Sequence, residues 1–122
     1  MPMYITLFTY ASESWEAMVQ RPEDREEVAR SVMTSVGGEL HAFYWMLGED
    51  DGVAIYEAPS ASAAAAVSAA ISATGRLSRL RTSALLTAKE AHAALELANV
   101  VSGTYRPPGR LEEWRSGYDQ LG

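Results

Sequence analysis

Residues 37–59, GGELHAFYWMLGEDDGVAIYEAP, constrain the fold more than any other part of the chain. A Gly-Gly break opens the segment, a proline closes it, and a short acidic turn ending in Asp51-Gly52 divides it. Phe43, Tyr44 and Trp45 precede the turn, and Val53, Ile55 and Tyr56 follow it. These residue types fit a pleated, half-buried surface. The spacing predicts a hairpin with strands at 39–47 and 53–58, Gly52 supplying the positive φ of a tight turn.

The flanking sequence supplies the partners such a hairpin needs. Met3–Tyr10 sets Ile5 and Leu7 against Tyr4, Thr6, Phe8 and Tyr10, the alternation of a strand. Pro22 interrupts the stretch 12–36, so a short helix near 15–19 should precede a main helix starting at Pro22. Glu23, Asp24, Glu26 and Glu27 favour that N-terminus, and Gly37-Gly38 stops the helix. Its apolar stripe is Val28, Ala29, Val32, Met33 and Val36. Ser60 or Ser62 caps an Ala-rich helix that Gly75 ends. The stripe there, Ala63, Ala66, Val67, Ala70 and Ile71, is small enough to lie close against a sheet. Residues 77–86 read as a last strand, and Thr87-Ala88-Lys89-Glu90 as a capping box opening a helix to about Ala98.

The order strand, helix, strand, strand, helix, strand is the α+β, ferredoxin-like βαββαβ plan: a four-stranded antiparallel sheet with both helices on one face. An extra C-terminal helix and a tail follow it. Residues 1–100 make one domain in this reading, and residues 101–122 a Pro/Gly-punctuated tail. In the tail, Leu111, Trp114, Tyr118 and Leu121 recur at roughly helical spacing and would clasp a partner subunit.

Parity decides what lines each face of the sheet. One choice puts Ile5, Leu7, Leu40, Ala42, Ala54 and Leu80 beneath the helices. It gathers Tyr4, Thr6, Phe8, His41, Phe43 and Trp45 on the open face. The pattern does not decide between parities, because both faces of each strand are apolar. Such strands are expected to be buried on both faces, and helices cover one. A second copy of the chain, packed sheet to sheet as a dimeric α/β barrel or a higher homo-oligomer, is the expected cover.

The chain has no cysteine, which excludes thiolate chemistry and suits a reducing cytoplasm. Its net charge of −6 argues against nucleic acid as a partner. The first residues lack the basic region of an export signal, and no run reaches the ~18–20 apolar residues of a membrane span. A soluble cytoplasmic protein with no membrane partner is the expectation.

The block Gly37-Gly38-Glu39-Leu40-His41-Ala42-Phe43-Tyr44-Trp45, with Gly48, Asp51 and Val53-Ala54-Ile55-Tyr56-Glu57-Ala58-Pro59, resembles the GYD domain family. Met3-Tyr4-Ile5 and the strand reaching Leu86 fit as well, so the resemblance covers roughly residues 1–90. It implies a small bacterial protein of the dimeric α/β-barrel kind, largely without an assigned activity. One departure stands out: the family's Gly-x-Tyr-Asp turn reads Gly48-Glu49-Asp50-Asp51 here, an acid replacing the tyrosine.

Few residues suggest chemistry. His41 and Glu57 are the weak catalytic candidates, a base and a carboxylate on neighbouring strands. Each also reads simply as a strand residue at a surface or interface. His92 is a helix-surface histidine. Glu49, Asp50 and Asp51 are three adjacent acids that splay rather than converge, so they read as a solvated turn and no metal site is expected. Arg76, Arg79 and Arg81 read as a charged edge strand. Tyr4, Phe8, Phe43, Tyr44, Trp45 and Tyr56 are the ligand-binding candidates, able to line an apolar cavity for a flat molecule or to pack a core. The expected function is binding of a small apolar or aromatic ligand, or service as an assembly module, with no cofactor. The alternative is a cofactor-independent oxygenase- or isomerase-like enzyme acting on a small aromatic substrate. That alternative requires His41, Glu57 and Tyr44 or Trp45 to meet in one cavity.

Overall fold

The computed structural model describes residues 1–109. The chain divides into two compact units, Met1–Leu86 and Thr87–Gly122. In the first, the alternation of Met3–Tyr10 becomes strand β1, in which Tyr4, Thr6, Phe8 and Tyr10 are buried and the residues between them half-buried. Helices α1 (Ser12–Gln20) and α2 (Arg25–Ser35) follow, then β2 (Glu39–Trp45), β3 (Gly52–Glu57), α3 (Ala61–Ser72) and β4 (Leu77–Leu85). All neighbouring strands are antiparallel in the order β2-β3-β1-β4, so the fold is α+β and ferredoxin-like.

The helix boundaries follow capping chemistry. The main helix begins at Arg25 rather than at Pro22, because the Asp24 carboxylate accepts the Glu27 amide and closes its first turn. The short helix before it is longer than the expected 15–19. It ends at Gln20, ahead of the proline. Ser60, not Ser62, caps α3 by accepting the Ala63 amide. Gly37 and Gly75 adopt positive φ, 76° and 68°, and lead the chain out of α2 and α3.

The core lies between the sheet and helices α2 and α3. Met33, Leu40, Tyr56, Ala64 and Val67 are buried together there, with Ala29, Val32, Val36 and Ile71 packed around them. Full burial of residues the size of Met33 and Leu40 stabilises the fold by about 1.5–3 kcal/mol each. The expected stripe on α2 therefore stands at Ala29, Val32, Met33 and Val36, while Val28 is exposed. The stripe on α3 is rotated: Ala64 and Ser68 face inward with Ala63, Val67 and Ile71, while Ala66 and Ala70 are exposed. A helix that is apolar nearly all round carries no periodicity to separate the two settings.

The register decides the parity that the sequence pattern leaves open. Tyr4 pairs with Tyr56, Thr6 with Ala54, and Phe8 with Gly52 and Leu80, and all of these lie on the helix-covered face. Ile5 and Leu7, opposite Ile55 and Val53, lie on the other face. In β2 the register shifts between Leu40 and Ala42. This bulge keeps His41 and Ala42 on the open side and turns Phe43 and Trp45 toward the helices, reversing the parity an unbroken strand would have. Gly52 has no positive φ. A Cβ there would sit 2.4 Å from the Phe8 ring, so glycine is needed for close approach rather than for the turn.

In the second unit, α4 spans Ala88–Ser102 and runs past the expected Ala98. The capping box at Thr87 and Glu90 is present on both sides. Hydrogen bonds from the Thr87 amide and hydroxyl hold the Glu90 carboxyl below the usual carboxylate range, outweighing the effect of burial. Leu95, Leu97, Val100 and Val101 are exposed. The tail residues Leu111, Trp114, Tyr118 and Leu121 lie outside the described residues. No helix among the described residues is long and apolar enough to cross a membrane.

Candidate functional site

Small residues on the covered face leave space. Ala54 on β3 and Ala17 and Ala29 on the helices do not fill the gap between layers, and a partly open cleft of about 450 Å³ remains. Phe8, Phe43 and Leu80 supply its floor, with Met18 of α1, Val28 and Val32 of α2 and Val67 and Ile71 of α3 as walls. Its size and apolar lining are those of a small-molecule site.

The polar groups lining the cleft are mostly satisfied within the protein: Glu13 pairs with Arg76, and the Ser14 and Thr74 hydroxyls donate to the Arg76 and Ile71 carbonyls. Thr6 Oγ1 shares hydrogen bonds with Tyr56 OH at 2.8 Å and Thr82 Oγ1 at 2.9 Å, and Thr82 Oγ1 with Ser68 Oγ at 2.9 Å. This row of four hydroxyls, three of them lining the cleft, can rotate its protons to donate to or accept from a guest. Arg25, at the start of α2, also lines it. Its guanidinium gives one nitrogen to Glu23 at 3.0 Å, while Nε is buried without a hydrogen-bond partner. Burial disfavours the charge of Arg25, but bonding to Tyr10 and the nearby Glu23 carboxylate outweigh it and raise the group above its ordinary value. A buried donor left unpaired is uncommon enough to need a reason.

Aromatic rings brace one end. Phe8, Tyr10, Phe43, Trp15 and Trp45 form a continuous cluster with centroid spacings of 5.4–5.8 Å. Asp51 fixes it from the turn, accepting the Tyr10 amide at 2.8 Å and the Trp15 indole N–H at 3.2 Å. The acidic turn is therefore not simply solvated. Asp50 is 4% exposed and engages Arg81, Arg79 and Thr9. Burial pushes its carboxyl up, but the hydrogen bond and charge of Arg81, with Arg79 and Thr9, outweigh that and hold it below its ordinary value. Arg79 and Arg81 do stand on an edge strand, and they also have this specific partner. At the one position departing from the family turn, the acid has cations to meet it.

The expected site residues divide between the two faces. Phe8, Phe43 and Tyr56 line the cleft. Tyr4 is buried beside it, stacked on Tyr56 at 5.9 Å. Trp45 joins the bracing cluster, 49% exposed. Tyr44 is 65% exposed and pairs with Val53 on the open face. His41 and Glu57 are together, with Nε2 and Oε1 3.4 Å apart, but on the open face. They do not enter the cleft, so the convergence that the enzymatic alternative requires is not formed there. His92 pairs with Glu96 on the exposed surface of α4. Arg25, Thr6 and Ser68 were not singled out from the sequence as site residues. Arg25 carried no signal among the charges at a helix start, and the hydroxyls become a set only through the register.

The GYD domain family model matches residues 4–95, and the chain belongs to that family. None of the curated proteins matches it.

Proposed function

We propose that this member of the GYD domain family holds a small, largely apolar molecule with one acceptor group in the cleft between its sheet and helices. The observation that carries the reading is an apolar space of about 450 Å³ with the Arg25 guanidinium on its lining. A carboxylate, phenolate or carbonyl on the guest would meet that guanidinium, while the hydroxyl row offers a second, adaptable contact. Binding, rather than catalysis, is the reading that the separation of His41 and Glu57 from the cleft favours.

The protein is further proposed to assemble as a homodimer through the open face, where Ile5, Leu7, Val53 and Ile55 form an apolar band. Native mass spectrometry of protein purified without added ligand tests both parts. The account expects twice the chain mass and, on part of the population, a retained small molecule that a cleft-filling Val32→Trp variant lacks. A monomer contradicts the assembly. Equal retention by Val32→Trp contradicts the cleft as the site.

A further inference from the structure

On the open face, the register sets Glu39 directly opposite Glu57 across β2 and β3. Like charges in such cross-strand pairs repel and weaken a sheet, so a positive charge between them would relieve this pairing. His41 stands beside them, held on the same face by the bulge between Leu40 and Ala42. One donor atom from each of the three residues lies within 4.8 Å of the others.

We propose that Glu39, His41 and Glu57 form a binding site for a divalent transition ion of the zinc type. Two ligands each about 2.1 Å from a tetrahedral ion stand about 3.4 Å apart. His41 Nε2 and Glu57 Oε1 are 3.4 Å apart. Their spacing therefore admits an ion held between them. The Glu39 oxygen completes the set by a small rotation about its flexible side chain.

The donor types narrow the choice of ion. An imidazole with two carboxylates suits Zn²⁺, Co²⁺ or Mn²⁺, whereas Mg²⁺ and Ca²⁺ prefer oxygen alone. Three protein ligands leave a fourth position for water or an anion. The side chains of His41 and Glu57 are 40% and 28% exposed in the single chain and stand on the outer strand β2 and at the end of β3, outside the band of Ile5, Leu7, Val53 and Ile55, so the ion can reach them. The site is on the opposite face of the sheet from the cleft, and its success or failure leaves the ligand-binding reading untouched.

The test is titration of the full chain with Zn²⁺, followed by calorimetry and by the imidazole ¹⁵N signals of His41. One ion per chain should bind, with a coordination shift at His41 Nε2, and excess Mg²⁺ should not displace it. His41→Gln and Glu57→Gln should each weaken binding by more than the roughly 10- to 100-fold typical of losing an outer-shell partner. His92→Gln, which removes the other His–Glu pair, should leave affinity unchanged. No heat and no His41 shift at millimolar Zn²⁺ would overturn the proposal. So would affinity that survives both His41→Gln and Glu57→Gln. The wild-type imidazole signals keep the test decisive even if a variant fails to fold.

Discussion

Along β1 and β3 both faces of the sheet are apolar, yet they handle polar groups in opposite ways. The covered face keeps hydroxyls that bond one another, Tyr56, Thr6, Thr82 and Ser68, and the charges lining its cleft come as pairs, Arg25 with Glu23 and Arg76 with Glu13. The other face carries Asp50 with Arg79 and Arg81 at one end and Glu39, His41 and Glu57 at the other. Neutral hydroxyls can be buried when mutually bonded, whereas charges require partners or water. The contrast teaches that the aromatic and aliphatic content of a strand does not reveal its direction, while the kind of polar residue interleaved with it does.

The sharpest way to break this contrast is at Gly52. In Gly52→Ala the new Cβ meets the buried Phe8 ring, so urea unfolding should show a loss of about 1–3 kcal/mol, the range for overpacking. A neutral result would mean that the covered face is looser than its register implies. Removal of the Arg25 guanidinium from the cleft comes next. Arg25→Leu should weaken 2-naphthoate binding by about 1.5–3 kcal/mol, roughly 10- to 150-fold, and leave 2-methylnaphthalene binding nearly unchanged. Equal losses for both probes, measured by calorimetry or fluorescence, would remove Arg25 as the acceptor-binding group.

Tyr56→Phe sharpens the comparison from the hydroxyl side. It removes one end of the row while Thr6 keeps its bond to Thr82, so stability should fall by about 0.5–1.5 kcal/mol. The smallest effect is expected at Asp50, because Arg79 and Arg81 are about half exposed and solvent screens their attraction. Its carboxyl is held below its ordinary value of 3.8 in the folded state. The resulting stability is complete above that value and is lost as pH falls through the lower, folded one. Asp50→Asn should therefore be less stable than wild type at neutral pH, with the difference closing below about pH 3.8. A difference independent of pH would show that shape, not charge, makes Asp50 matter.

Much of the architecture was legible in the chain. The order of elements, the capping box at Thr87–Glu90 and the break at Pro22 each rest on local backbone chemistry, and each is present. What could not be read depends on contacts between distant residues. The bulge at His41 reverses the parity of Phe43 and Trp45, and no local signal marks it. Gly52 looks like a turn glycine but answers to Phe8, 44 positions earlier in the numbering of the same sheet. Ala66 and Ala70 could not be told from Ala64, because an alanine-rich helix is apolar on every side. The cleft was partly legible through Phe8, Phe43 and Tyr56. Arg25 and the hydroxyl row come together only once the layers pack.

The central claim is that the covered face receives the ligand and the open face does not. Methyl NMR during a 2-naphthoate titration tests it most directly, since both faces carry reporter groups. The account predicts saturable shifts at Val28, Val32, Val67 and Ile71, with Ile5, Leu7, Val53 and Ile55 left in place. Shifts confined to the second set, or shared equally by both, would contradict it.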